Sequence, residues 1–68
     1  MSLHTTIKER RAILRLTQQD LAEMSSVGLR TLKEIESGKG NPSLTILNKI
    51  ADILGMEVKL VIKETNKT

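Results

Sequence analysis

The sequence predicts a mostly α-helical fold, four short helices followed by one β-strand that pairs across a dimer. Three observations carry this expectation: apolar residues recur at helical spacing from Ile7 to Leu54, short polar and glycine-containing breaks interrupt them, and after Gly55 the period changes to two. At 68 residues the chain is one domain, too small to be strongly stable unless something reinforces it. Cysteine is absent and the single histidine is His4, so neither a disulfide nor a zinc site can supply that reinforcement. Oligomerisation is what remains.

Thr6 followed by Glu9 has the spacing of a capping box and places a first helix at about residues 6 to 14. Ile7, Arg11 and Leu14 share one of its faces. An arginine on an apolar stripe needs a carboxylate, because a guanidinium has no neutral form to retreat to. Glu36 is the best candidate: it lies four residues after Leu32 and so shares the inward face of the third helix. The expectation is an Arg11–Glu36 ion pair locking the first helix to the third, with a solvent-directed Arg11 as the alternative.

Thr17 and Asp20 form a second capping box, so a helix starts at about Gln18, with Leu21 and Ala22 inward. Ser25-Ser26-Val27-Gly28 breaks the period. Leu32 and Ile35 then set the inward face of a third helix, leaving Leu29, Arg30, Lys33 and Glu34 outward. Two short amphipathic helices joined by a small-residue turn make a helix-turn-helix pattern, and an outward, partly basic helix N-terminus suits a DNA major groove.

Gly38-Lys39-Gly40-Asn41-Pro42 is a loop by composition, with Gly38 as a helix stop and Pro42 holding Asn41 extended. Ser43 caps a fourth helix running to about Leu54 and closed by Gly55. Leu44, Leu47, Ala51 and Leu54 form one apolar stripe on it, and Ile46, Ile50 and Ile53 form a second. Two stripes exceed what a small core needs. One is therefore expected to face the core and the other something else.

From Met56, the residues Met56, Val58, Leu60 and Ile62 alternate with Glu57, Lys59, Val61 and Lys63, which predicts a half-buried strand over 56–63. No other segment offers a second strand. A lone strand leaves its backbone unpaired, so pairing with the same strand of a second copy across a two-fold axis is the economical solution, with Val58 and Leu60 on the second stripe of helix four. A further helical turn or a frayed tail is the alternative. Residues 64–68 are expected to be disordered.

Eleven Lys and Arg against eight Asp and Glu leave a net charge of +3, a bias that agrees with a phosphate-bearing partner. The lack of any aromatic residue argues against single-stranded nucleic acid, which is held by stacking. Catalysis has no support: there is no histidine beside a credible nucleophile, no paired carboxylates and no phosphate loop after a strand. No metal or cofactor is expected. No membrane span or signal peptide is visible, so a cytoplasmic protein is expected.

The stretch Ile7-Lys-Glu-Arg-Arg, then Leu16-Thr-Gln-Gln-Asp-Leu-Ala, Ile35-Glu-Ser-Gly-Lys and Asn41-Pro-Ser-Leu resembles the Cro and phage-repressor type helix-turn-helix domain, the XRE family. The resemblance implies a DNA-binding domain over 5–55, of bacterial, phage or plasmid origin and on the nucleoid when bound. It implies that Leu29, Arg30, Lys33 and Glu34 read bases, and that Arg10, Gln18, Thr31, Ser37 and Lys39 meet phosphates. It also implies a buried pair at Arg11 and Glu36. The family usually carries Gly where Ser26 stands, which puts the shape of that turn in question. A strand appended after Gly55 looks like the HipB-like antitoxin regulators, in which paired C-terminal strands build the dimer and a toxin is also bound. The expected dimerisation residues are Ile46, Ile50, Ile53, Met56, Val58, Leu60 and Ile62. The expected function is a homodimeric regulator on a palindromic double-stranded DNA operator. The alternative is an antitoxin-type protein that neutralises a partner toxin and binds DNA as autoregulation.

Overall fold

A computed structural model describes residues 2–63, which fold into four helices: α1 (Leu3–Ile13), α2 (Gln18–Ser25), α3 (Leu29–Glu36) and α4 (Leu44–Leu54). α2 packs on both α3 and α4, and α1 closes the bundle against α3 and α4. The core between them consists of Ile7, Leu21, Ala22, Val27, Leu32, Ile35, Ile50 and Leu54. No helix is long and apolar enough to cross a membrane among the described residues.

Side-chain caps start three of the helices. Thr17 accepts from the Asp20 amide at 2.9 Å while the Asp20 carboxylate accepts from the Thr17 amide at 3.0 Å, so the expected capping box is formed. Those hydrogen bonds hold the Asp20 carboxyl below its ordinary value of 3.8. A carboxylate whose value is lowered by folding supports the fold above the ordinary value and loses that support on acidification. Ser43 caps α4 through the Ile46 amide at 3.1 Å, as expected. α1 differs. It begins at Leu3, capped by Ser2 accepting from the Thr5 amide at 3.3 Å, and Thr6 is already helical, donating its hydroxyl to the Ser2 carbonyl at 2.9 Å. Both threonine and serine accept orphan amides, and the earlier one starts the helix here.

All four helices stop in the same way. A left-handed residue (Arg15, Ser26, Gly38 or Gly55) and the residue after it send their amides back to the preceding turn. This is the Schellman arrangement, which satisfies carbonyls that a helix end would otherwise leave open. Two of the four left-handed residues are not glycine. Ser26, with φ 60° and ψ 33°, keeps the left-handed turn at the cost of a Cβ in that region, so the turn is not reshaped. Ser26→Gly should therefore raise stability by about 0.5–1 kcal/mol, the relief of left-handed strain less the extra unfolded-state freedom of glycine. A thermal melt reads this as a rise of several degrees; an unchanged or lower midpoint would show that Ser26 is unstrained.

Three expectations about the C-terminal half are corrected. Among the described residues there is no strand: 56–63 carry neither helix nor sheet, because a strand needs a partner and the protomer supplies none. The isoleucine stripe of α4 does not point away from the core. Ile50 is 1% exposed, and Ile46 and Ile53 pack against the same cluster, because α1 and α2 both pack on α4 and cover more than one stripe. Ile50 thus has no surface to offer a second chain. Leu44, expected in the core stripe, is exposed. The expected disordered tail, 64–68, lies outside the described residues.

Candidate nucleic-acid interface

α3 is held from behind and free in front. Leu32 and Ile35 enter the core, and the Glu36 side chain is 3% exposed. Arg11 donates to both Glu36 carboxylate oxygens, Nε to Oε2 at 2.8 Å and Nη2 to Oε1 at 2.9 Å, and its Nη1 donates to the Leu16 carbonyl at 2.8 Å. This bidentate pair ties α1, the α1–α2 turn and the last turn of α3 into one unit. The hydrogen bond to the Glu36 carboxylate holds the Arg11 guanidinium above its ordinary value. No buried side-chain polar atom lacks a partner among the described residues.

The opposite side of α3 faces outward. Leu29, Arg30, Lys33, Glu34, Ser37 and Lys39 line one shallow hollow. Arg30, Lys33 and Glu34 are exposed, whereas Leu29 also packs against the core edge, so only part of its side chain is free. The loop after α3 is folded back onto it: the amides of Lys39 and Gly40 both donate to the Glu34 carbonyl at 3.1 Å, and the Ser37 hydroxyl donates to the same carbonyl at 2.7 Å. The loop cation is thereby set beside the helix cations.

Three other expected contact residues lie elsewhere. Arg10 donates from Nε to the Leu54 carbonyl at 2.9 Å, closing the C-terminus of α4. Gln18 donates to Glu36 Oε1 at 3.1 Å and so belongs to the internal network. Thr31 is half-buried on the flank of α3, near Gly28, outside the hollow. One participant escaped the sequence reasoning. The imidazole of His4 lies over Gly38, where a Cβ would stand 3.2 Å from the ring. His4 thus buttresses the loop between Ser37 and Lys39, a contact across 34 positions that no local pattern announces.

A model of the helix-turn-helix family matches residues 7–61. The chain belongs to this family. An HTH-type transcriptional regulator of Methanothermobacter thermautotrophicus is 42% identical over 55 residues, 81% of this chain and 80% of that protein. Another, of Methanocaldococcus jannaschii, is 42% identical over 53 residues, 78% and 80% of the two chains. The immunity repressor protein of Bacillus phage phi105 is 36% identical over 64 residues, 94% of this chain and 44% of the repressor. The helix-turn-helix protein is therefore of the Cro and phage-repressor type, a DNA-binding transcriptional regulator and not an enzyme. In its helix-turn-helix unit, α2 and α3 are the paired helices and Ser26 to Gly28 the turn.

Proposed function

We propose that this regulator binds a palindromic double-stranded DNA operator as a homodimer, with α3 of each protomer in a major groove. The observation that carries the reading is the two-sidedness of α3: its back is locked by the core and Arg11, and its front presents one continuous set of polar and cationic side chains. In that pose Arg30 and Lys33 donate to guanine edges, Glu34 accepts from a cytosine amine and the free part of Leu29 meets a thymine methyl. Ser37 and Lys39, with Thr31 at the flank, meet phosphates. Arg10 and Gln18 act from inside, holding α4 and Glu36.

Two copies are needed because one short helix reads few base pairs. The dimerisation surface is the segment Met56, Val58, Leu60 and Ile62, with the partly open Ile46 and Ile53 of α4 as a second, smaller candidate. Leu60 and Ile62 are 101% and 94% exposed, far more apolar surface than a lone protomer would leave in water. The antitoxin-type reading rested on this segment alone, and nothing among the described residues favours a toxin over a second copy.

Arg30→Ala should cost roughly 1–3 kcal/mol on the preferred site and relax the base preference at one position per half-site. Lys39→Ala should weaken all sequences alike and flatten the salt dependence by about one counterion per half-site. Binding titrations on preferred and scrambled duplexes at several salt concentrations separate the two. An Arg30 variant that loses affinity equally on both duplexes would move Arg30 to the phosphates.

A further inference from the structure

We propose that His4 is a positioning residue for DNA binding: its ring stands in for the side chain that Gly38 lacks and so holds the Ser37–Lys39 loop in the form that meets phosphate. The proposal rests on the reading of Ser37 and Lys39 as phosphate contacts and adds what sets them in place. It uses the single histidine of the chain, which the helix-turn-helix pattern leaves without a role.

Hydrogen bonds fix the loop on the side of α3. The amides of Lys39 and Gly40 donate to the Glu34 carbonyl and the Gly38 amide to the Ile35 carbonyl, each at 3.1 Å. Gly40 lies close on the same side, where a Cβ would stand 3.2 Å from the Ile35 amide nitrogen. Gly38 is the hinge. Its φ of 82° is left-handed, and a residue without a Cβ has more backbone conformations open to it than any other. A loop free to turn at such a hinge must be ordered when it binds, which subtracts from the affinity its cation supplies.

The His4 ring is the restraint on that hinge. A Cβ at Gly38 would meet ring atoms first, Cε1 and Nδ1 at 3.2 Å and Nε2 at 3.5 Å, so the imidazole fills the place of a side chain at position 38. The ring is held in turn. Because α1 begins at Leu3, His4 is helical, and the hydroxyl of the capping Ser2 stands 3.4 Å from its Nε2. His4 is half-buried, whereas Ser37, Gly38 and Lys39 are exposed. Ser37 and Lys39 line the hollow in front of α3 and His4 does not, so the ring supports the loop and leaves its outer face to DNA.

The chain has no Phe, Tyr or Trp, so His4 is its one ring and a ring-current shift of the Gly38 Hα resonances reports this contact alone. Those resonances in the wild type and in His4→Phe should be displaced from their position in His4→Ala. The probe for binding is a short duplex of mixed sequence, on which phosphate contacts supply the affinity. His4→Ala should bind it roughly 3- to 10-fold more weakly, and His4→Phe, which keeps a ring, within about twofold of the wild type. In a Lys39→Ala background most of the effect of His4→Ala should disappear, because the ring acts through that loop. A general loss of folded protein would persist in that background and is thereby told apart. Unshifted Gly38 resonances, a His4→Phe as weak as His4→Ala, or a full His4→Ala effect without Lys39 each overturn the proposal. Lys39→Ala that weakens binding while His4→Ala does not overturns this proposal alone; Lys39→Ala that binds like the wild type overturns the phosphate reading with it.

Discussion

Arg11→Ala is expected to lower the stability of the domain by about 3–5 kcal/mol, the cost of breaking a buried pair by removing one partner. The Glu36 side chain is 3% exposed, so without Arg11 the carboxylate would be left with the Gln18 amide alone. A domain of this size rarely holds more than about 3–5 kcal/mol in its core, so the variant should be substantially unfolded at 25 °C. Glu36→Gln keeps a neutral acceptor and should cost less. Replacing both partners together by apolar residues of similar volume should recover much of the loss, because the desolvation of two charges is removed along with their attraction. Chemical denaturation of the four proteins checks this. A midpoint unchanged in Arg11→Ala would place the pair's contribution in solvent and release α3 from its proposed anchor.

The pair was legible in the sequence because both members break a local rule. Arg11 sits on the stripe of Ile7, and Glu36 follows Leu32 by one helical turn, so each carried its own signal that a partner was needed. The caps at Thr17 and Ser43 were legible for a similar reason, since an N-cap is written within four residues. Where two caps compete, as at Ser2 and Thr6, local spacing does not decide, and α1 starts one turn earlier than Thr6 suggests. The outward face of α3 followed from periodicity, and all four of its expected base-reading residues line one hollow. The roles of Arg10 and Gln18 did not follow, because their partners lie 44 and 18 positions away. Nor did the burial of Ile50. The moment of a helix gives the direction of its apolar face, but how wide a face the neighbours cover depends on how α1 and α2 cross α4.

Truncation after Gly55, or Leu60→Asp, should convert the protein to a monomer in sedimentation or light scattering while leaving the helices intact. Leu60 is wholly exposed in the protomer, so a charge there does no harm to the fold and acts only on the shared face. The loss of DNA affinity should exceed that of Arg30→Ala by a wide margin, on the order of 100-fold or more, because two tethered half-sites bind with the avidity of an intramolecular second step. A truncated chain that stays dimeric and binds its site undiminished would show that 56–63 do not join the protomers, leaving the partly open Ile46 and Ile53 of α4 as the dimer surface.

The central claim, that α3 of two joined protomers reads DNA in adjacent grooves, is tested most directly by selecting bound duplexes from random sequence with the wild-type protein. Two recognition helices held by a two-fold contact should enter major grooves about 34–36 Å apart, so the selected sites should form an inverted repeat with half-site centres about 10–10.5 base pairs apart or a whole multiple of that turn. Selected sequences that lack an inverted repeat, or no enrichment over random duplex, would contradict the account.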